Sequence, residues 1–230
     1  MAEPFHIVFA LFPGVTHLDF TGPHQVLSRL PGAATTLASA AGEPVEADGL
    51  TFANITRLRD IERCDLICVP GGVAATEAAL DEEFITQVRR LGGQARYVTS
   101  VCTGSLILGA AGFLQGKRAA CHWAWRELLP LFGAISDDAR VVRDGNIFTG
   151  GGVTAGIDFA LTVAAEVAGP EFAQAIQLTI EYAPEPPFQA GRPETAPPAV
   201  LERVQRRNDA ILPQRRAEAE RAAARMKAMA

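Results

Sequence analysis

Two apolar runs, residues 6–12 (His-Ile-Val-Phe-Ala-Leu-Phe) and 65–70 (Asp-Leu-Ile-Cys-Val-Pro), have strand length but no polar alternation. A strand that is greasy on both sides must be covered on both faces, so these runs demand a buried, parallel-type sheet. The rest of the chain supplies the cover. Gly22-Pro23 opens a helix with proline near its first turn, residues 35–40 give a second strand, and residues 42–55 read as a hairpin or short excursion. Helical patterns run to Leu80 and from Asp81 to Leu91, and a β-branched strand from Tyr97 stops at Cys102. Short strands are expected at 119–122 and 139–142. The Asp144-Gly145 turn pairs the latter with 147–149. A long helix then reaches Ala168, and another runs from Pro170 to about Tyr182. Strands alternating with helices in this way predict an α/β layer structure with helices on both faces of a mostly parallel sheet.

With 230 residues, 48% of them hydrophobic, the chain has enough apolar material for one large core. A net charge of −5 and the lack of any long uncharged apolar stretch argue against nucleic-acid and membrane partners. The N-terminus has no basic leader region and runs straight into a strand, so no signal peptide is read and a cytoplasmic location is expected. Cysteines at 64, 68, 102 and 121 show neither paired CxxC spacing nor a histidine cluster. Neither a disulfide framework nor a metal site is therefore expected, and Cys64 and Cys68 read as core filling on one strand face. Residues 1–182 form the expected α/β domain. Residues 183–230 form a proline-rich arm followed by a charged helical tail, interrupted at Pro213, that docks on the body or on a second subunit. The tail arginines, Arg203, Arg206, Arg207, Arg215 and Arg216, are interleaved with acidic residues and read as a solvated face.

Cys102 carries the chemistry. It closes a strand and is followed at once by Thr103-Gly104-Ser105, small residues that let a sharp strand-to-helix turn present a nucleophile to the first N–H groups of the helix. Helix N-termini favour thiolates, so a lowered thiol pKa is expected. The competing reading is a small buried hydrophobe. In open α/β sheets the working site lies at the carboxyl ends of the strands. Gly71-Gly72, Cys102 and Gly150-Gly151-Gly152 should meet there, with the Gly72 and Thr103 amides as an oxyanion-hole pair and Gly71, Gly150 and Gly151 beside substrate. Simple tight turns are the alternative for these glycines. No phosphate-binding or dinucleotide motif is present, and no cofactor is expected.

Asp19, between Leu18 and Phe20, is placed just before the first helix on the same edge. It is either an N-cap or a desolvated acid. A carboxyl buried beside a thiolate holds its proton and so suits general acid chemistry. His122, next to Trp123, is a further candidate for substrate contact or a structural histidine. His17 and His24 need not face the sulfur. Asp158 is read as a helix anchor.

Five words, Leu18-Asp19-Phe20-Thr21-Gly22-Pro23, Val69-Pro70-Gly71-Gly72, Ser100-Val101-Cys102-Thr103-Gly104, Ala120-Cys121-His122-Trp123 and Gly150-Gly151-Gly152-Val153-Thr154-Ala155-Gly156-Ile157-Asp158, together resemble the DJ-1/PfpI superfamily. The resemblance spans essentially the whole chain and implies a flavodoxin-like fold. It is nearest to the isocyanide-hydrating members, which implies a cofactor-free homodimer converting an isocyanide and water to an N-substituted formamide. Cys102 would be the nucleophile, Asp19 the acid/base and Thr103 a hydrogen-bonding neighbour that tunes both. Thiolate attack on the terminal isocyanide carbon with a proton from Asp19 gives a thioimidate, which water then opens. Protease-like members carry histidine after the cysteine, whereas this chain has Thr103. Glyoxalase-like members use glutamate where this chain has Asp19. AraC-type regulators sharing these words add a helix-turn-helix domain, for which no room is read here. The alternatives left open are a glyoxalase-like enzyme on small α-dicarbonyls, a cysteine-based redox sensor and a ligand-binding module without turnover.

Overall fold

The computed structural model describes residues 4–229; residues 1–3 and 230, at the ends of the leader reading and of the tail, lie outside the described residues. The chain runs β1 (Phe5–Ala10), α1 (Leu18–Leu27), β2 (Ala33–Ser39), β3 (Val45–Ala47), β4 (Leu50–Phe52), β5 (Thr56–Arg57), β6 (Leu66–Val69), α2 (Ala75–Ala78) and α3 (Glu82–Gly92). It continues through β7 (Tyr97–Val101), α4 (Gly104–Ala110), β8 (Arg118–Ala120), β9 (Ile135–Asp137), β10 (Val141–Asp144), β11 (Ile147–Gly150), α5 (Ala155–Ala168), α6 (Pro170–Thr179) and α7 (Pro198–Ala228). The main sheet has seven strands in the order β10-β11-β7-β6-β1-β2-β5, and only the β10–β11 pair is antiparallel. Helices α1, α5 and α6 pack together, as do α2, α3, α4 and α7, which makes the layered α/β sandwich expected from the unbroken apolar runs and matches the flavodoxin-like fold that the family resemblance implies. Residues 7–11 of the first run and 66–69 of the second are wholly buried.

Several boundaries differ from expectation for physical reasons. Helix α1 begins at Leu18, so Pro23 lies inside it and Asp19 sits in its first turn rather than before it. The Gly42–Ile55 stretch is the β3–β4 hairpin, with β5 pairing on the sheet edge. Strand β9 was not legible, being only three residues long and exposed at two of them. Cys64 precedes β6, so it shares no strand face with Cys68, although both are buried and free.

The tail departs furthest. Helix α7 is continuous through Pro213, which lies on its exposed side, where water can reach the carbonyl left without an N–H partner. Beyond Pro213 the helix buries Arg215, Glu218, Ala219, Ala222, Ala223 and Met226 at helical spacing. It is also pinned by polar contacts. Thr76 Oγ1 donates to Glu218 Oε2 at 2.6 Å, and Arg225 Nη1 donates to the Leu80 carbonyl at 2.8 Å.

Chain order places the site. From β1 the chain passes to β2 on one side and then to β6 on the other, so the crevice between β1 and β6 is a topological switch point. Closing it requires glycine. A Cβ on Gly104 would lie 2.1 Å from the Val69 carbonyl oxygen and 2.8 Å from that of Pro70, backbone atoms that cannot swing aside. Gly104→Ala is therefore expected to destabilise the fold by about 3 kcal/mol, the upper end of the usual cost of overpacking. Urea denaturation followed by circular dichroism measures it, and an unchanged midpoint would refute the close packing of α4 on the β6 turn.

Candidate active site

Strand β7 delivers Cys102 to the corner between sheet and α4. The Cys102 N–H donates to the Gly150 carbonyl at 3.0 Å, continuing the β7–β11 pairing for one residue, and the chain then turns sharply with Cys102 at φ +57°. A non-glycine residue with positive φ is strained and persists only where its surroundings hold it. Here they hold the sulfur against the first amide of the turn, the Thr103 N–H. Cys102 is 6% exposed.

Three loops close around this corner. Val15 bridges Gly72, and the Thr16 N–H donates to the Gly71 carbonyl at 2.9 Å, which ties the loop after β1 to the turn after β6. Asp19 is thereby carried into the crevice, fully buried. Its Oδ2 accepts the Gly71 N–H at 2.9 Å, and its carboxyl neighbours the Cys102 thiol; Oδ1 has no formed hydrogen bond among the described residues. The N-cap reading of Asp19 fails, because the helix starts from His17 and no side chain caps it. Thr103 Oγ1 accepts the Gly72 N–H at 3.0 Å and lies 3.2 Å from the Gly72 carbonyl, to which it donates. Gly71 must be glycine. A Cβ there would meet the Thr103 nitrogen at 2.5 Å and Asp19 Oδ2 at 2.8 Å.

The electrostatics follow from burial. Desolvation pushes the Asp19 carboxyl up to about 7, against the pull of the Gly71 N–H and the Cys102 contact. Burial first, then the Asp19 charge and Cys121, push the Cys102 thiol well above the ordinary range, while the Thr103 N–H pulls it down. The lowered thiol pKa expected from the helix terminus is therefore corrected. One amide donor does not outweigh a dry pocket and an adjacent carboxylate. The pair behaves as a unit that holds one proton between two acids and carries a single negative charge over a wide pH range.

Other expected residues fall into two groups. The Gly72 N–H is taken by Thr103 Oγ1 and the Thr103 N–H faces the Cys102 sulfur, so the Gly72–Thr103 amide pair does not stand as two free oxyanion donors. Gly150 receives the Cys102 N–H, while the Gly151 N–H donates to the Arg140 carbonyl at 2.9 Å. Gly151 and His122 line a cleft of about 450 Å3 with Cys121, Trp123, Gly152 and the arm residues Arg192 and Pro193. His122 Nδ1 accepts the Ala124 N–H at 3.3 Å, and no hydrogen bond joins its ring to Cys102 among the described residues. Burial, then the Arg215 charge, lower its pKa. His24 faces away, with Nε2 3.1 Å from Thr35 Oγ1. Asp158 is an anchor: its Oδ2 accepts from Arg140 Nε at 2.8 Å and from the Tyr182 hydroxyl at 3.1 Å, joining α5 to the loop before β10 and to the start of the arm.

Two features escaped sequence reasoning. Cys121 is close enough to Cys102 to raise its pKa, with Ser105 hydrogen-bonded to it. Arg215, read as part of a solvated face, is 9% exposed, its guanidinium carbon 4.0 Å from the centre of the Trp125 ring. The available signal was the apolar stripe of Ala219, Ala222, Ala223 and Met226 at helical spacing, which Arg215 heads.

Comparison with known proteins agrees with this architecture. The DJ-1/PfpI family matches residues 6–166. The isonitrile hydratase of Pseudomonas putida is 52% identical over 221 residues, 96% of this chain and 97% of that protein. Among solved structures, a THiJ/PfpI family protein from Pseudomonas syringae is 38% identical with a TM-score of 0.89, covering 97% of this chain and 91% of the other. Drosophila melanogaster DJ-1beta is 25% identical with a TM-score of 0.70, covering 80% of this chain and all of that one. A cysteine on a positive-φ corner, a parallel sheet in this order and a family match over most of the fold agree: the chain belongs to the DJ-1/PfpI family.

Proposed function

We propose that this protein is an enzyme that hydrates isocyanides to N-substituted formamides, with Cys102 as nucleophile, Asp19 as acid and base, and Thr103 holding the turn that joins them. The observation that carries the reading is the Asp19 carboxyl, buried beside the Cys102 thiol and pushed up to about 7. The near full-length likeness to the Pseudomonas putida isonitrile hydratase supports the substrate class. The residue choice rests on the resemblance and on the geometry of the buried pair.

The steps balance with side chains and water. The pair rests as carboxylate and thiol, and the reactive form is reached when the Cys102 thiol passes its proton to the neighbouring Asp19 carboxylate, which gives thiolate and carboxylic acid. The sulfur adds to the terminal carbon of R–N≡C as Asp19 protonates that carbon, leaving a thioimidate, R–N=CH–S–Cys102, and a carboxylate. Asp19 then takes a proton from water as the water oxygen adds to the same carbon, and passes it to nitrogen. In the last step the tetrahedral hydroxyl gives its proton to Asp19 while the C–S bond breaks. Thiolate, carboxylic acid and R–NH–CHO result. No cofactor is called upon. Gly71 keeps Asp19 in reach through its N–H, and the R group is assigned to the side of Gly150, which accepts the Cys102 N–H, and of the cleft lined by Gly151 and His122.

Within this reading, residues 1–182 are the catalytic body and 183–230 its arm and tail. A homodimer is part of the proposal, supported by exposed Leu178 and Phe188 and by Val200, Val204 and Ile211 on the free half of α7. The described residues contain no helix long and apolar enough to cross a membrane. Four unpaired cysteines support a reducing, cytoplasmic compartment.

Cys102→Ala is expected to abolish formamide production from cyclohexyl isocyanide, and Asp19→Asn to lower kcat by about 10²-fold or more, the span of a lost general acid. Turnover by Cys102→Ala at the wild-type rate would refute the covalent route. The pH dependence has a definite sign. Below about 7 the pair holds both protons; as pH rises through about 7 the Asp19 proton leaves, and the monoanion that forms has a carboxylate able to take the thiol proton. The second leaves only well above the ordinary thiol range. Activity should therefore rise through an apparent pKa near 7 to a broad plateau, and a profile that falls through 7 would overturn the assignment of Asp19 as the acid.

A further inference from the structure

The cleft lined by Gly151 and His122 has walls of two kinds. The loop after β8, the loop before β10 and the turn before α5 supply three of them, and residues 191–195 of the arm supply the fourth. Two of the body walls are fastened together. The Gly151 N–H donates to the Arg140 carbonyl at 2.9 Å, Arg140 Nε to Asp158 Oδ2 at 2.8 Å, and Arg140 Nη2 to Thr154 Oγ1 at 3.2 Å. The arm has no such fastening along its length. Residues 183–192 are exposed, and among the described residues no hydrogen bond or ion pair ties 184–191 to the body. The arm is therefore suspended between two anchors. At its start the Tyr182 hydroxyl donates to Asp158 Oδ2 at 3.1 Å, the oxygen that also takes Arg140. At its end the Thr195 and Ala196 N–H groups close a turn on the Arg192 carbonyl at 3.1 and 2.9 Å, just before α7, and Pro193 in that turn is half-buried. Pro184, Pro186, Pro187 and Pro193 stiffen the span, so a displacement at Tyr182 is carried along it instead of being absorbed.

We propose that the arm turn Arg192–Thr195 is a specificity-determining wall for the R group of the isocyanide, and that Tyr182 is the positioning residue that sets where this wall stands. The proposal rests on the hydratase reading for the identity of the R group. Bond formation at sulfur fixes the isocyano carbon at Cys102, so an R group meets the arm only when it is large enough to reach across the cleft of about 450 Å3. The wall then acts on the binding of bulky isocyanides and leaves bond making alone, which separates its effect from that of Cys102 and Asp19. Asp158 is the joint of the device. Through one oxygen it connects the body walls, by way of Arg140, to the first residue of the span.

The test measures kcat and KM for methyl isocyanide and cyclohexyl isocyanide in the full chain, for wild type, Tyr182→Phe and Pro193→Gly, together with amide hydrogen exchange in the peptide spanning 184–196. Arg59→Gln serves as the surface control, since Arg59 pairs only with its exposed neighbour Asp60. Tyr182→Phe keeps the ring and loses the hydroxyl. It is expected to raise KM for cyclohexyl isocyanide about five-fold, the fold-change of one ordinary hydrogen bond, with kcat and the methyl isocyanide KM within about two-fold of wild type. Exchange across 184–196 should quicken in the same variant. Pro193→Gly, which trims and loosens the wall itself, should reproduce the KM pattern, and Arg59→Gln should match wild type throughout. A Tyr182→Phe protein whose cyclohexyl KM does not move overturns the proposal. So does a KM that rises equally for both isocyanides, or a fall in kcat at unmoved KM, for then Tyr182 supports the fold without shaping the cleft. Unchanged exchange overturns the anchor by itself. Exchange needs no isocyanide, so a wild-type protein that turns over neither compound overturns the hydratase reading while the exchange result still decides whether Tyr182 holds the arm.

Discussion

The hydrogen bond from the Gly71 N–H to Asp19 Oδ2 is the contact on which the rest of the site depends. It joins the first helix to the turn after β6 inside a dry crevice, and it has room only because Gly71 lacks a side chain. Without it the Asp19 carboxyl would have no backbone donor where both its oxygens are buried. With it, the carboxyl is held beside sulfur but not satisfied, so it keeps an affinity for the proton that a fully hydrogen-bonded carboxylate would lose. The chemistry uses that incompleteness.

Backbone strain and side-chain electrostatics act together here. The positive φ of Cys102 sets its sulfur against the Thr103 amide. The same turn requires Gly104, which lets α4 rest directly on the Val69 and Pro70 carbonyls. Thr103 then spends its hydroxyl on both polar groups of Gly72, which makes it a strut between two loops instead of a free donor. Each piece is costly alone and stable only because the others are present.

Much of this was legible in the sequence. Unbroken apolar runs are readable because a strand buried on both faces has no other composition, and β1, β6 and β7 appear close to where those runs lie. Asp19, Gly71 and Cys102 were legible as a constellation because topology brings the carboxyl ends of adjacent strands together. What escaped was set by distance or brevity. Strands β5 and β9 have two and three residues, too few for periodicity to register. The sign of the thiol shift escaped because a helix terminus is visible in sequence and burial is not. Pro213 looked like a break because sequence does not tell which side of a helix faces water. Arg215 was hidden among arginines because its partners lie far away along the chain.

That separation has a consequence for how the protein comes into being. The contacts from Val73 to Arg215 and from Thr76 to Glu218 each span 142 residues. Loops of that length close late, since their entropy is lost before any contact repays it. A chain emerging from the ribosome has Asp19, Gly71 and Cys102 available for folding well before α7 exists. The corner that bears Cys102 is thus made well before the helix that braces its neighbouring turn through Val73 and Thr76, so the young protein passes through a stage in which the nucleophile exists and that brace does not.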